Sequence, residues 1–85
     1  MSKVEIYTTQ WCPYCHAAKA LLEEKGIAYE EVNADEPETR MAMVQRAHGR
    51  RTVPQIFVGD RHLGGYTDIA ALDREGKLET LFESE

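Results

Sequence analysis

The chain lacks any apolar run near the roughly 18 residues that a membrane-crossing helix needs. Its longest local stretch, Ala17 to Leu22, is interrupted by Lys19. Positive charge is also scarce: 10 Lys and Arg stand against 15 Asp and Glu, a net charge of −5. That balance excludes the basic footprint that nonspecific nucleic-acid binding requires. Met1-Ser2-Lys3 leads directly into Val4-Glu5-Ile6-Tyr7, with no apolar signal-peptide core and no small-residue cleavage site. A cytoplasmic protein that engages neither membrane nor nucleic acid is the expectation. No linker, low-complexity tract or internal repeat divides the 85 residues, so one domain over 1–85 is expected.

What is present is an alternation of periods. Lys3 to Thr8 reads as a strand with Val4 and Ile6 on one face. Pro13 suits the first helical position, Ala18, Leu21 and Leu22 recur at helical spacing, and Gly26 is a natural stop. Ala28 to Val32 reads as a second strand. Asp35-Glu36-Pro37 opens a second helix, with Met41, Val44, Ala47 and His48 along one face and Gly49 at its end. Gln55 to Val58 and Arg61 to Gly64 form a hairpin about Gly59-Asp60, as a two-residue type II′ turn. Thr67 or Asp68 is expected to cap a third helix through Ile69 and Leu72, stopping near Gly76; Leu78, Leu81 and Phe82 suggest a last short amphipathic turn. The order βαβαββα combines a right-handed parallel crossover with an antiparallel hairpin. An α/β fold follows, with a four-stranded mixed sheet flanked by helices on both faces.

Cysteine occurs only in Cys12-Pro13-Tyr14-Cys15, where the first strand meets the first helix. A C-x-x-C pair beside a βαβ pattern reads as a thioredoxin-like redox motif. With Cys12 at the helix N-cap, the free N–H groups of Tyr14 and Cys15 point to its sulfur, and the helix dipole favours thiolate over thiol. Such sulfurs ionise at pKa values of about 3.5–7.5 instead of about 8.5. Cys12 is therefore expected to attack, and Cys15, one turn further in, to resolve the mixed disulfide. Pro13 restricts the backbone between them. Competing readings are a pair of inert core cysteines, a zinc site drawing on His16 with His48 or His62, and c-type haem through Cys15-His16. A second metal-ligand pair is missing for zinc, and haem needs an export route the sequence does not show. No metal site is expected.

Three motifs in order, Cys12-Pro13-Tyr14-Cys15, Thr52-Val53-Pro54 and Gly64-Gly65-Tyr66-Thr67-Asp68, make the chain resemble the dithiol glutaredoxins. Val4-Glu5-Ile6-Tyr7-Thr8 and Thr52-Val53-Pro54-Gln55-Ile56-Phe57 point to the bacterial glutaredoxin 3 type. The resemblance implies a thioredoxin fold and a glutathione-dependent thiol–disulfide oxidoreductase. Its partners would be glutathione and disulfide-bearing or glutathionylated proteins, with glutathione as reductant, no bound cofactor and a monomeric state. Cys12 and Cys15 would be catalytic, supported by Pro13 and Tyr14. Glutathione would lie along Thr52, Val53 and a cis Pro54, with Gly65 allowing close approach. Thr67 and Asp68 would take its γ-glutamyl end. Family members often carry a lysine three residues before the first cysteine; this chain has Thr9, so Arg40 is the expected cation for the glycyl carboxylate, with Arg50 and Arg51 as helpers. Tyr66 stands where a small residue or cysteine is common, changing the groove's shape. The rivals are a small redoxin served by a thioredoxin reductase, an iron–sulfur carrier ligated by Cys12 and glutathione, and a purely structural interaction domain.

Overall fold

The structure is a computed structural model that describes residues 3–83. Strand β1 (Val4–Thr8) leads into helix α1 (Pro13–Glu24), and strand β2 (Glu30–Asn33) into helix α2 (Pro37–Arg46). The β3–β4 hairpin (Gln55–Val58, Arg61–Gly64) precedes α3 (Tyr66–Arg74) and a short α4 (Leu78–Glu83). Sheet order is β2-β1-β3-β4, parallel between β1 and β2 and antiparallel elsewhere. The mixed sheet and its flanking helices match the expected thioredoxin-like fold, with the final turn extended into α4.

Period-two alternation builds both faces. Val4 and Ile6 of β1 and Ile56 and Val58 of β3 point to one side, where Ala18 and Leu22 of α1, Ile69 of α3 and Leu78 of α4 cover them. Tyr7 and Phe57 point to the other side, under Met43, Val44 and Ala47 at the end of α2. Ring edge meets ring face between Tyr7 and Phe57, with centroids 5.5 Å apart. The helix face expected on α2 is therefore shifted. Met43 is buried, whereas Met41 is half exposed and His48 exposed. Successive helical residues turn by about 100°, and Met41-Ala42-Met43-Val44 offers two apolar stripes; the position of β1 and β3 selects the one through Met43.

Ends and turns follow local chemistry. Gly26, at φ 70°, stops α1 as the residue after its C-cap Lys25. Gly59, at φ 59°, opens the two-residue turn that pairs Val58 with Arg61. Strand β2 begins at Glu30, two residues later than its apolar pattern suggests. Helix α3 is capped by Gly65, not by Thr67 or Asp68. Asp68 still serves that end from the third position, its Oδ2 accepting the Gly65 N–H at 2.8 Å. The expected contact of Phe82 lies outside the described side chains.

Candidate active site

Two chain crossings meet at the carboxyl end of β1: the start of α1 and the segment entering β3. Trp11 precedes the helix with φ 63°, a left-handed backbone rare for a bulky aromatic, and holds its indole in solvent at 87% exposure. Cys12 follows as the N-cap in extended conformation, with Pro13 at the first helical position. Its sulfur accepts the backbone N–H of Cys15 at 3.1 Å. An otherwise unpaired donor at the positive end of the helix dipole thus points at the sulfur expected to carry charge.

Cys12 and Cys15 are joined as a disulfide, with Cα atoms 5.2 Å apart. Cys12 retains 8% exposure against 2% for Cys15. Cys12 is thus the more accessible residue of the pair and Cys15 the more deeply buried. This is the order that attack followed by resolution demands.

Facing Cys12 is the turn Thr52-Val53-Pro54. The Val53–Pro54 peptide is cis, and the Val53 carbonyl oxygen lies 3.8 Å from Cys12 Sγ. An open groove of about 230 Å³ runs along this segment, lined by Tyr14, Arg50, Val53, Pro54, Gly65 and Thr67 among others. Tyr14 is largely exposed, and its ring leans toward Tyr66 with centroids 6.2 Å apart. Gly65 presents backbone to the groove; a Cβ there would sit 3.2 Å from the Pro54 carbonyl oxygen. A side chain at this point would crowd that carbonyl, which glycine leaves clear.

Charge is concentrated at the far end of the groove. Arg50 Nη1 contacts Asp68 Oδ2 at 3.1 Å, both side chains nearly half exposed. The Gly65 N–H foremost, with Arg50 beside it, holds the Asp68 carboxyl below the usual carboxylate range. Arg40, the expected cation for the glycyl carboxylate, is not among the residues that line this groove. Its Nε and Nη2 donate to the Arg51 carbonyl at 3.2 and 2.9 Å. That leaves other guanidinium N–H groups for a ligand, since arginine carries five. Thr9 does not line this groove; it borders a second hollow with Trp11, His16 and Lys19. Among the described residues, no group of three or more His, Cys, Asp or Glu side chains is placed to hold a metal ion. The zinc alternative thus lacks a ligand set there.

Two polar residues escape the sequence reading. Gln55 is fully buried in an otherwise apolar strand, and His62 half-buried on its neighbour. The signal was a single polar residue at the inward phase shared with Phe57.

A vicinal cysteine pair at a helix start, facing a cis-proline turn in a thioredoxin-like fold, defines a dithiol oxidoreductase. Comparison with known proteins makes the class specific. Residues 4–63 match the glutaredoxin family. Glutaredoxin 3 of Escherichia coli is 46% identical over 83 residues, 98% of this chain and 100% of that protein. The solution structure of a Brucella melitensis glutaredoxin, 51% identical, superposes with a TM-score of 0.86 over 96% of this chain and 89% of its own. A buckwheat glutaredoxin solved with glutathione, 28% identical, also reaches 0.86, over 98% of this chain and 78% of its own. The chain belongs to the glutaredoxin family and is a glutathione-dependent thiol–disulfide oxidoreductase.

Proposed function

We propose that Cys12 is the attacking thiolate, Cys15 the resolving thiol, and the groove beside Val53 the seat of glutathione. Supporting this above all is the Cys15 N–H on Cys12 Sγ, which stabilises the anion without any neighbouring base. In the dithiol route the Cys12 thiolate attacks one sulfur of a client disulfide and expels the other as thiolate. Cys15, deprotonated, then attacks Cys12 Sγ, releases the second client thiol and leaves the Cys12–Cys15 disulfide. One glutathione thiolate reopens that bond at Cys12, and a second attacks the bound glutathione sulfur, leaving as glutathione disulfide with the electron pair accounted for. In the monothiol route Cys12 takes the glutathionyl group from a modified protein, and one further glutathione regenerates it.

Thr52 and Val53 are proposed to present backbone to the cysteinyl unit, with cis Pro54 at its side. The N-terminus of α3 at Gly65 and Thr67 takes the γ-glutamyl carboxylate, and Asp68 its ammonium. Arg40 is proposed to take the glycyl carboxylate, and Arg50, paired with Asp68, to assist at the γ-glutamyl carboxylate. A monomeric working unit is proposed. Among the described residues no helix is long and apolar enough to cross a membrane; reduced glutathione as reductant points to the cytoplasm, with protein disulfides and glutathionylated proteins as clients.

Turnover coupled to glutathione reductase tests the roles. Cys12→Ser is expected to abolish reduction of both client disulfides and glutathionylated peptide. Cys15→Ser is expected to lose only the first. Equal loss of deglutathionylation in both variants would overturn the assignment, and equal turnover driven by thioredoxin reductase would favour the other redoxin class.

A further inference from the structure

Gln55 is the largest polar side chain enclosed in the core, and the turn beside Cys12 explains its presence. Its Nε2 donates to the Thr52 carbonyl at 2.9 Å and approaches Thr52 Oγ1 at 3.2 Å. A carbonyl only accepts, so the amide nitrogen must face Thr52 and the amide oxygen must face the other way. That oxygen lies 2.6 Å from His62 Nε2. The imidazole therefore donates from Nε2, a tautomer fixed by the amide's orientation.

His62 is itself held in place. A register shift between Ile56 and Phe57 pairs Phe57 with His62 across the hairpin, and such irregularities re-aim side chains. The imidazole stacks on the Phe57 ring with centroids 4.9 Å apart, and the Arg46 guanidinium carbon lies 4.1 Å from the same ring's centroid. Burial, then Arg50 and His48, keep His62 titrating below its ordinary value.

We propose that His62 and Gln55 are positioning residues, a two-bond brace that holds the Thr52–Val53 backbone edge at the distance from Cys12 that glutathione binding requires. The sequence of contacts is continuous: Phe57 seats His62, His62 orients Gln55, Gln55 ties down Thr52, and the next residue faces the reactive sulfur at 3.8 Å. Neither residue touches substrate. Their effect is to make the edge rigid before the ligand arrives, so that less freedom is lost on binding. The inference rests on the reading that glutathione lies along Val53.

The test compares His62→Phe, which keeps a ring on Phe57 but removes the donor, with His62→Gln, which restores a donor to Gln55. With His62→Phe, KM for a glutathionylated peptide is expected to rise about fivefold to tenfold, matching the roughly 1–1.4 kcal/mol of one net hydrogen bond. The His62→Gln variant is expected to recover most of that rise. Backbone NMR order parameters of Thr52 and Val53, measured without glutathione, are expected to fall in His62→Phe and recover in His62→Gln. Identical behaviour of the two variants, or unchanged KM and order parameters in both, would overturn the brace. Wild-type protein inactive with glutathione would instead refute the binding reading, and the order parameters would still decide the brace.

Discussion

Replacing Gly64 with alanine probes the carboxyl end of β4, where fold and site share one atom. Gly64 sits at φ +111°, and a Cβ built there would lie 2.7 Å from Asp68 Cγ and 2.9 Å from Asp68 Cβ. Neither atom is the loose end of a long chain, so Asp68 must swing away from Gly65. The backbone conformation costs about 1–3 kcal/mol for a residue with a side chain. Losing the bond from the Gly65 N–H adds about 1 kcal/mol, the usual worth of a helix cap. Parting Asp68 from Arg50 adds little, because that pair is half exposed. The total of about 2–4 kcal/mol should lower Tm by roughly 10–30 °C in a domain of this size. Gly26→Ala isolates the backbone part: its φ is +70°, with nothing within 4 Å of the added Cβ. It should lose only about 1–2 kcal/mol. Circular dichroism melts give both values. Turnover below the melting temperature should show KM for glutathionylated peptide raised in Gly64→Ala alone. Equal melting losses in the two variants, with KM unchanged in both, would refute the reasoning.

Acid stability tests the same carboxylate. Its folded pKa is depressed, so its contribution is complete above the unfolded value, near 4, and disappears as pH falls through the folded one. Urea midpoints at neutral pH should therefore favour wild type over Asp68→Asn, and the gap should close in acid; a constant gap would contradict the assigned cause. For the proposed carboxylate cations, Arg40→Gln and Arg50→Gln should each raise KM about threefold to tenfold and flatten its increase with ionic strength. Unaltered salt dependence in both variants would place the anchoring charge elsewhere.

Most of the architecture was legible because the sheet is two-faced and its punctuation is unambiguous. Val4, Ile6, Ile56 and Val58 alternate with Tyr7 and Phe57, which predicts helices on both sides. Pro13, Gly26 and Gly59 fix a start, a stop and a turn. Where the sequence misled, the deciding partner was distant in the chain. The α2 stripe through Met43 is chosen by the β1–β3 surface, and no property of residues 41–48 alone distinguishes it from the stripe through Met41. Thr67 and Asp68 have good capping chemistry, yet the cap falls on Gly65, because Asp68 can reach back only from the third helical position. The reactive pair was readable from four adjacent residues. The brace behind it was not, since Gln55 and His62 meet only after the hairpin closes with its register shift.

Titrating the reduced protein by thiolate absorbance addresses the central claim most directly: that the first turn of α1 keeps Cys12 ionised. A single sulfur should ionise with a midpoint at or below about 7. That step should persist in Cys15→Ser and vanish in Cys12→Ser. A midpoint near 8.5, the value of a free cysteine, would contradict the account.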